Sequence, residues 1–180
     1  MRKKLMWFVC LGVSALVICL CGGLAWATPG TGMGKFVGTT IALGRFGEID
    51  VLNTQVLATN PWRDDGQGKN VWLSLQKTKG ASDLYVQNNV IQAGGDSGWH
   101  SHPGSNLVIV TAGTVTDYES DDPGCKPTVY TQGMGFVDAG VNHVHLIRNE
   151  GTVVATTMAV QLIPANAARR IDEPQPSNCH

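Results

Sequence analysis

The sequence predicts a single all-β domain, a sandwich or closed barrel, over residues 36–165. Three observations carry this. Only 15% of the 180 residues are charged while 22 are glycine, a balance that suits a turn-rich β protein better than a helical bundle. The apolar segments are short, rich in Val, Ile, Thr and Tyr, and broken by turn residues about every ten positions. After the first 27 residues no stretch holds a long helical period.

The chain opens on MRKKLMWFVCLGVSALVICLCGGLAWATPG. Arg2, Lys3 and Lys4 make a positive start, Leu5 to Cys21 is uncharged and apolar, and Ala25-Trp26-Ala27 is an A-x-A cleavage signal. Residues 1–27 read as a secretory signal peptide, so the chain reads as exported, periplasmic or secreted. The alternative is an uncleaved membrane anchor, because Leu5 to Ala27 is 23 residues without a charge and that length spans a bilayer. A lipid anchor fits less well, since Leu20 and Ile18 precede Cys21 and Cys19 where a small residue is needed. Cleavage takes the net charge from −1 to −4 and leaves two cysteines, Cys125 and Cys179. An even number in an exported chain suggests one disulfide, tying a loop to the C-terminal tail.

Residues 28–35, TPGTGMGK, form a flexible glycine-rich connector. FVGTTIAL and FGEIDVL follow as strand segments on either side of Gly44-Arg45, and NPWRDDGQGKN is a polar loop. In VWLSLQKT the residues Val71, Leu73 and Leu75 fall on one face of a strand. DLYVQNNVIQA, NLVIVTAGTVTDYE, TVYTQGMGFVDAG, HVHLIRN and TVVATTMAVQLIP are the remaining strand segments, with SDDPGCKP as a loop. ANAARRI is expected to make one short helical turn, and residues 166–180 a polar C-terminal tail. No repeat of fixed period is present.

Four of the five histidines lie in two His-x-His pairs, His100/His102 and His143/His145. In an extended chain residues i and i+2 share a face, so each pair projects together. Imidazoles gathered inside a barrel are costly unless something satisfies their nitrogens. A divalent transition metal does so, and imidazole suits Fe, Mn, Ni, Cu or Zn. His180, the last residue, is expected in solvent.

The surroundings of the first pair are more specific. Gly94, five residues, His100, one residue, His102, three residues, Asn106, six residues, Gly113: this resembles the first signature motif of the cupin superfamily. GMGFVDAGVNHVHLIRNEG resembles the second motif less closely. His145 to Asn149 keeps its His-to-Asn spacing, whereas Gly140 to His143 keeps its Gly-to-His spacing, and Asp138 or Gly140 stands where a proline is usual. The resemblance covers about residues 82–164. It implies a cupin-like double-stranded β-helix, or jelly-roll barrel, with one divalent metal at its mouth held by three His and one Glu. His100 and His102 would be two ligands. The third is His143 or His145, with His145 preferred because Asn149-Glu150-Gly151 fixes the turn after it. Asn106 replaces the Glu, as a substitute ligand, an outer partner or the mark of an open position. Without the carboxylate a three-His site keeps its full positive charge, which favours anionic or chelating substrates.

Smaller expectations attach to other residues. Trp99 faces away from His100 and packs in the core. Gly94-Gly95 make the preceding turn, and Pro103-Gly104 bend the chain beside the site. Asp138 and Glu150 lie in solvated loops, Arg169-Arg170 are a solvated charge pair, and Tyr118 is a weaker candidate for the pocket wall. The residues leave two functions open. One is a metalloenzyme on a small oxygenated substrate, with dioxygenase chemistry leading by resemblance and isomerase chemistry behind it. The other is a non-catalytic protein that binds a small, sugar-like molecule. No basic run follows the leader, so no nucleic-acid partner is expected. The membrane enters only through an uncleaved N-terminal segment, and a homodimer is the expected assembly. Phosphate-cradling, serine-hydrolase and helical zinc motifs are absent.

Overall fold

The computed structural model describes residue 30 and residues 34–57 and 70–179. The expected signal peptide, most of the connector, most of the loop over 60–70 and His180 lie outside the described residues. Within them the chain is all β, with no helix.

The strands are β1 (Phe36–Phe46), β2 (Asp50–Leu57), β3 (Asn70–Lys77), β4 (Ser82–Ile91), β5 (His100–Ser101), β6 (Asn106–Ala112), β7 (Thr114–Glu119), β8 (Thr128–Thr131), β9 (Gly135–Asp138), β10 (His145–Arg148), β11 (Ala155–Pro164) and β12 (Ile171–Asp172). Two five-stranded sheets form, in the orders β1-β4-β11-β6-β9 and β12-β5-β10-β7-β8. Between β4 and β11 the chain crosses from sheet to sheet at every step except the β7–β8 pair, so that β4-β11-β6-β9 faces β5-β10-β7-β8. That is the double-sheet jelly roll, the cupin-like double-stranded β-helix. β1 and β12 extend one sheet each, and β2 and β3 make a separate hairpin.

Period-two alternation builds the core. In β11 every second residue from Ala155 to Ile163 is buried, and in β6 Asn106, Val108 and Val110 point inward. Ile91, Val110, Val115, Phe136, Ile147 and Ala159 from both sheets meet in one cluster. Gly113 turns β6 into β7 at φ 70°, and a Cβ there would meet Val154 O at 2.8 Å. Only glycine fits both the angle and the approach.

Three local expectations are corrected. β1 runs through Gly44-Arg45 without a break, because pairing with β4 continues to Phe46 opposite Ser82. ANAARRI makes no helical turn. Asn166 takes φ 65° and its N–H donates to Asp83 Oδ2 at 3.0 Å, which turns the chain back so that Ile171–Asp172 pairs with β5. The apolar face of VWLSLQKT is not buried: Leu73 and Leu75 are each 61% exposed, since among the described residues β3 pairs only with β2.

Arg45 grips Asp83 with two bonds, Nε to Oδ1 at 2.7 Å and Nη2 to Oδ2 at 2.8 Å. This bond, then the Asn166 N–H, holds the Asp83 carboxyl down at about 2. A depressed carboxylate stabilises the fold above its unfolded pKa, and the contribution is lost as pH falls through the folded value. Asp83→Asn is therefore expected to lower the melting temperature at pH 7. The gap to wild type should close as pH falls from about 4 to 2, measured by thermal melts across that range. A gap that stays constant contradicts the assignment.

Candidate metal centre

His100 lies on β5, and His145, at the start of β10, pairs directly opposite it. His102 follows β5 immediately. All three are buried, at 6%, 3% and 2% exposed for His100, His102 and His145. One ring nitrogen from each lies within 4.8 Å of the others.

The outer nitrogens show which atoms face inward. His100 Nδ1 is 2.9 Å from Gly98 O, and His102 Nδ1 is 2.6 Å from Arg169 O. A carbonyl oxygen only accepts, so both Nδ1 atoms carry the proton. His145 Nδ1 lies 3.3 Å from Asp117 Oδ1 on β7, a carboxylate that also accepts. Each ring thus turns a bare Nε2 toward the cluster. This is the tautomer and the outer hydrogen bonding that metal-bound histidines use. His145 Nε2 is buried with no hydrogen-bond partner among the described residues.

The charge environment differs among the three. Burial, with repulsion from His145, Arg170 and His102, pushes His100 well below the usual histidine range. Burial lowers His102 to about 4 against the opposing Arg169 carbonyl and Asp138 carboxylate. Burial also opposes charge on His145, but the Asp117 hydrogen bond and charge, aided by Asp138 and Glu119, outweigh it and raise the ring above its ordinary value.

His143 does not join the triad. It precedes β10, in a coil where Gly140, Val141 and Asn142 have φ of 68°, 39° and 66°, so the i, i+2 rule of an extended strand fails there. Its Nε2 lies 3.6 Å from Asp121 and 3.7 Å from Glu119. Gly140 packs against Gly104, two residues beyond His102, where a Cβ would meet Gly104 O at 2.2 Å.

Asn106 lines the same cavity, with its Oδ1 buried and without a hydrogen-bond partner among the described residues. The expectation of a solvated Asp138 is corrected. Phe136 and Asp138 are the inward residues of β9, and Asp138 pairs opposite Asn106 and is 1% exposed. The strand alternation of GFVD carried that signal. Arg169 and Arg170 are likewise not a solvated pair. Both line the cavity, and Arg170 donates to Ser97 O at 2.7 Å. Tyr118 is not among the lining residues; its hydroxyl donates to Glu150, which is part of a surface cluster. Trp99 packs with Leu146 and Cys179 in a second core cluster. Cys125 and Cys179 are joined by a disulfide with Cα atoms 5.3 Å apart.

The cavity has an apolar wall of Ile91, Val108, Phe136 and Ile147, and a polar wall that includes Gln87, Asn89 and Thr157. His100, His102 and His145 line it as well, with Arg169 and Arg170 as its cations. Three imidazole nitrogens gathered beside a lined cavity form a donor set that fits a divalent transition metal.

No protein-family model matches the chain, and no curated protein matches it. Solved structures do resemble it. A double-stranded β-helix domain protein from Klebsiella pneumoniae is 19% identical, covering 52% of this chain and 76% of that one at TM-score 0.41. A cupin superfamily protein from Desulfitobacterium hafniense is 12% identical, covering 63% and 78% at TM-score 0.39. A predicted oxalate decarboxylase from Thermotoga maritima is 18% identical, covering 47% and 83% at TM-score 0.38. The fold rests on the strand order of this chain itself.

Proposed function

We propose that this chain is an exported cupin protein in which His100, His102 and His145 hold one divalent transition metal beside a cavity for a small, anionic oxygenated molecule. The observation that carries the reading is the set of three buried histidine rings, with each Nε2 freed toward the others by an outward Nδ1 contact. The bound ion would supply Lewis-acid or redox chemistry next to the cavity, and dioxygenase-type chemistry is the reading we place first. The residues of the chain do the rest. Arg169 and Arg170 give the cavity its positive side, Asn89 and Thr157 offer polar groups to orient oxygens, and Val108, Phe136 and Ile147 keep water out. The disulfide suits an oxidising compartment, which supports export.

The test is calorimetric titration of the metal-loaded and metal-free protein with small carboxylates and neutral sugars, with dioxygen uptake followed in parallel. Metal-dependent binding of a carboxylate is expected, weakened about 10- to 100-fold in Arg169→Gln by loss of a charge-assisted hydrogen bond. Oxygen uptake with that carboxylate would establish the enzyme. Binding of a neutral sugar by metal-free protein would replace this reading with the sugar-binding one.

A further inference from the structure

Asp138 has no role yet, and its position is unusual. Its side chain is wholly buried. Oδ1 is occupied: the Gly140 N–H donates to it at 2.9 Å, and His143 Nδ1 lies 3.2 Å away. Oδ2 has no hydrogen-bond partner among the described residues. It lies instead against two members of the triad, 3.6 Å from His102 Nε2 and 3.6 Å from His145 Nε2.

That separation is longer than a hydrogen bond. It is close to the spacing of about 3.4 Å between two donors that each sit about 2.1 Å from one tetrahedral ion. A buried carboxylate oxygen facing bare imidazole nitrogens is costly unless a cation lies among them. The sheet geometry explains why Asp138 faces this way. Asn106 occupies the position where the motif carries Glu, and Asp138 is its cross-strand partner on β9, on the same inward face.

Resting on the reading of His100, His102 and His145 as ligands, we infer that Asp138 is the fourth metal ligand. It replaces, from the neighbouring strand, the carboxylate that Asn106 does not supply. The centre is then three imidazoles and one carboxylate, and the bound ion keeps one unit of positive charge instead of two. Asn106, an uncharged neighbour, lines the cavity and is free to orient a substrate. The Gly140–Asn142 coil has a purpose in this arrangement, because the Gly140 N–H fixes Oδ1 and so aims Oδ2.

The test compares wild type with Asp138→Asn, Asn106→Ala and His145→Ala, all stripped of metal. Each is titrated with Zn2+ against a chromophoric chelator and with Co2+ read by visible absorption. Asp138→Asn keeps the shape and the Gly140 contact. It should lose about 100-fold or more in Zn2+ affinity and change the Co2+ spectrum, while the metal-free melting temperature does not fall. Asn106→Ala should lose less than about 10-fold. Wild-type Zn2+ affinity and an unchanged Co2+ spectrum in Asp138→Asn, with metal lost in His145→Ala, would overturn the Asp138 assignment and leave the triad standing. Failure of wild type to bind either ion would overturn both. Should Asp138→Asn not fold, a crystal structure of the zinc-loaded wild type decides. Oδ2 at about 2.0–2.2 Å from the ion supports the inference, and Oδ2 beyond about 3 Å, outside coordination distance, overturns it.

Discussion

Replacing His145 with alanine is expected to abolish stoichiometric metal binding, while His143→Ala leaves it intact. The two residues are one position apart from being neighbours, yet they face different surroundings. His145 starts β10 opposite His100 and is 2% exposed, whereas His143 sits with Glu119 and Asp121 and reaches only the outer oxygen of Asp138. Loss of an outer hydrogen-bond partner of a metal ligand costs 10- to 100-fold in affinity, so loss of the ligand should exceed about 100-fold. Asp117→Asn supplies the intermediate case, because it keeps the ring and weakens only the Nδ1 contact. The expected order of affinity, by chelator competition, is wild type, then Asp117→Asn and His143→Ala, each of which removes only an outer contact, then His145→Ala. His143→Ala losing metal as fully as His145→Ala would contradict the assignment of the triad.

The second large effect concerns the disulfide. Cys125–Cys179 closes a segment of 54 residues, which in the chain-entropy model stabilises the fold by about 4 kcal/mol. For a domain of this size that corresponds to roughly 10 °C in melting temperature. The consequence extends to the triad, because the tail that carries Cys179 braces it. Ile171 and Asp172 pair with Ser101 and His100, Glu173 N–H donates to Trp99 O at 2.9 Å, and Arg169 O accepts from His102. The double variant Cys125→Ser/Cys179→Ser should therefore melt about 10 °C lower and also bind Zn2+ more weakly. An unchanged melting temperature would show that the crosslink adds nothing to the barrel.

How much of this was legible follows from which contacts are local. The all-β class was readable from composition and turn spacing, and the His100/His102 pair from its motif, because both depend on neighbours in sequence. His145 was preferred over His143 on the Asn149 spacing but not settled, since two anchors in the second motif disagreed by two residues. The fold separates them by a left-handed coil at Gly140–Asn142 that no spacing rule anticipates. Asp138 was readable in part: Phe136 is a natural core residue, and alternation puts Asp138 on its face. An acid beside a turn is usually solvated, and nothing in the local sequence marks this one as an exception. Arg169 and Arg170 were beyond reach from sequence. They reach the cavity only because β12 adds to the edge of β5, a contact between residues about 70 apart in the chain.

The most direct measurement is the metal content of residues 28–180, expressed without a tag or chelator and analysed by elemental mass spectrometry beside His100→Ala and His145→Ala. The account predicts about one divalent transition metal per wild-type chain and none in either variant. A wild-type protein without metal, or metal retained in both variants, would contradict it and leave the three histidines as parts of the core.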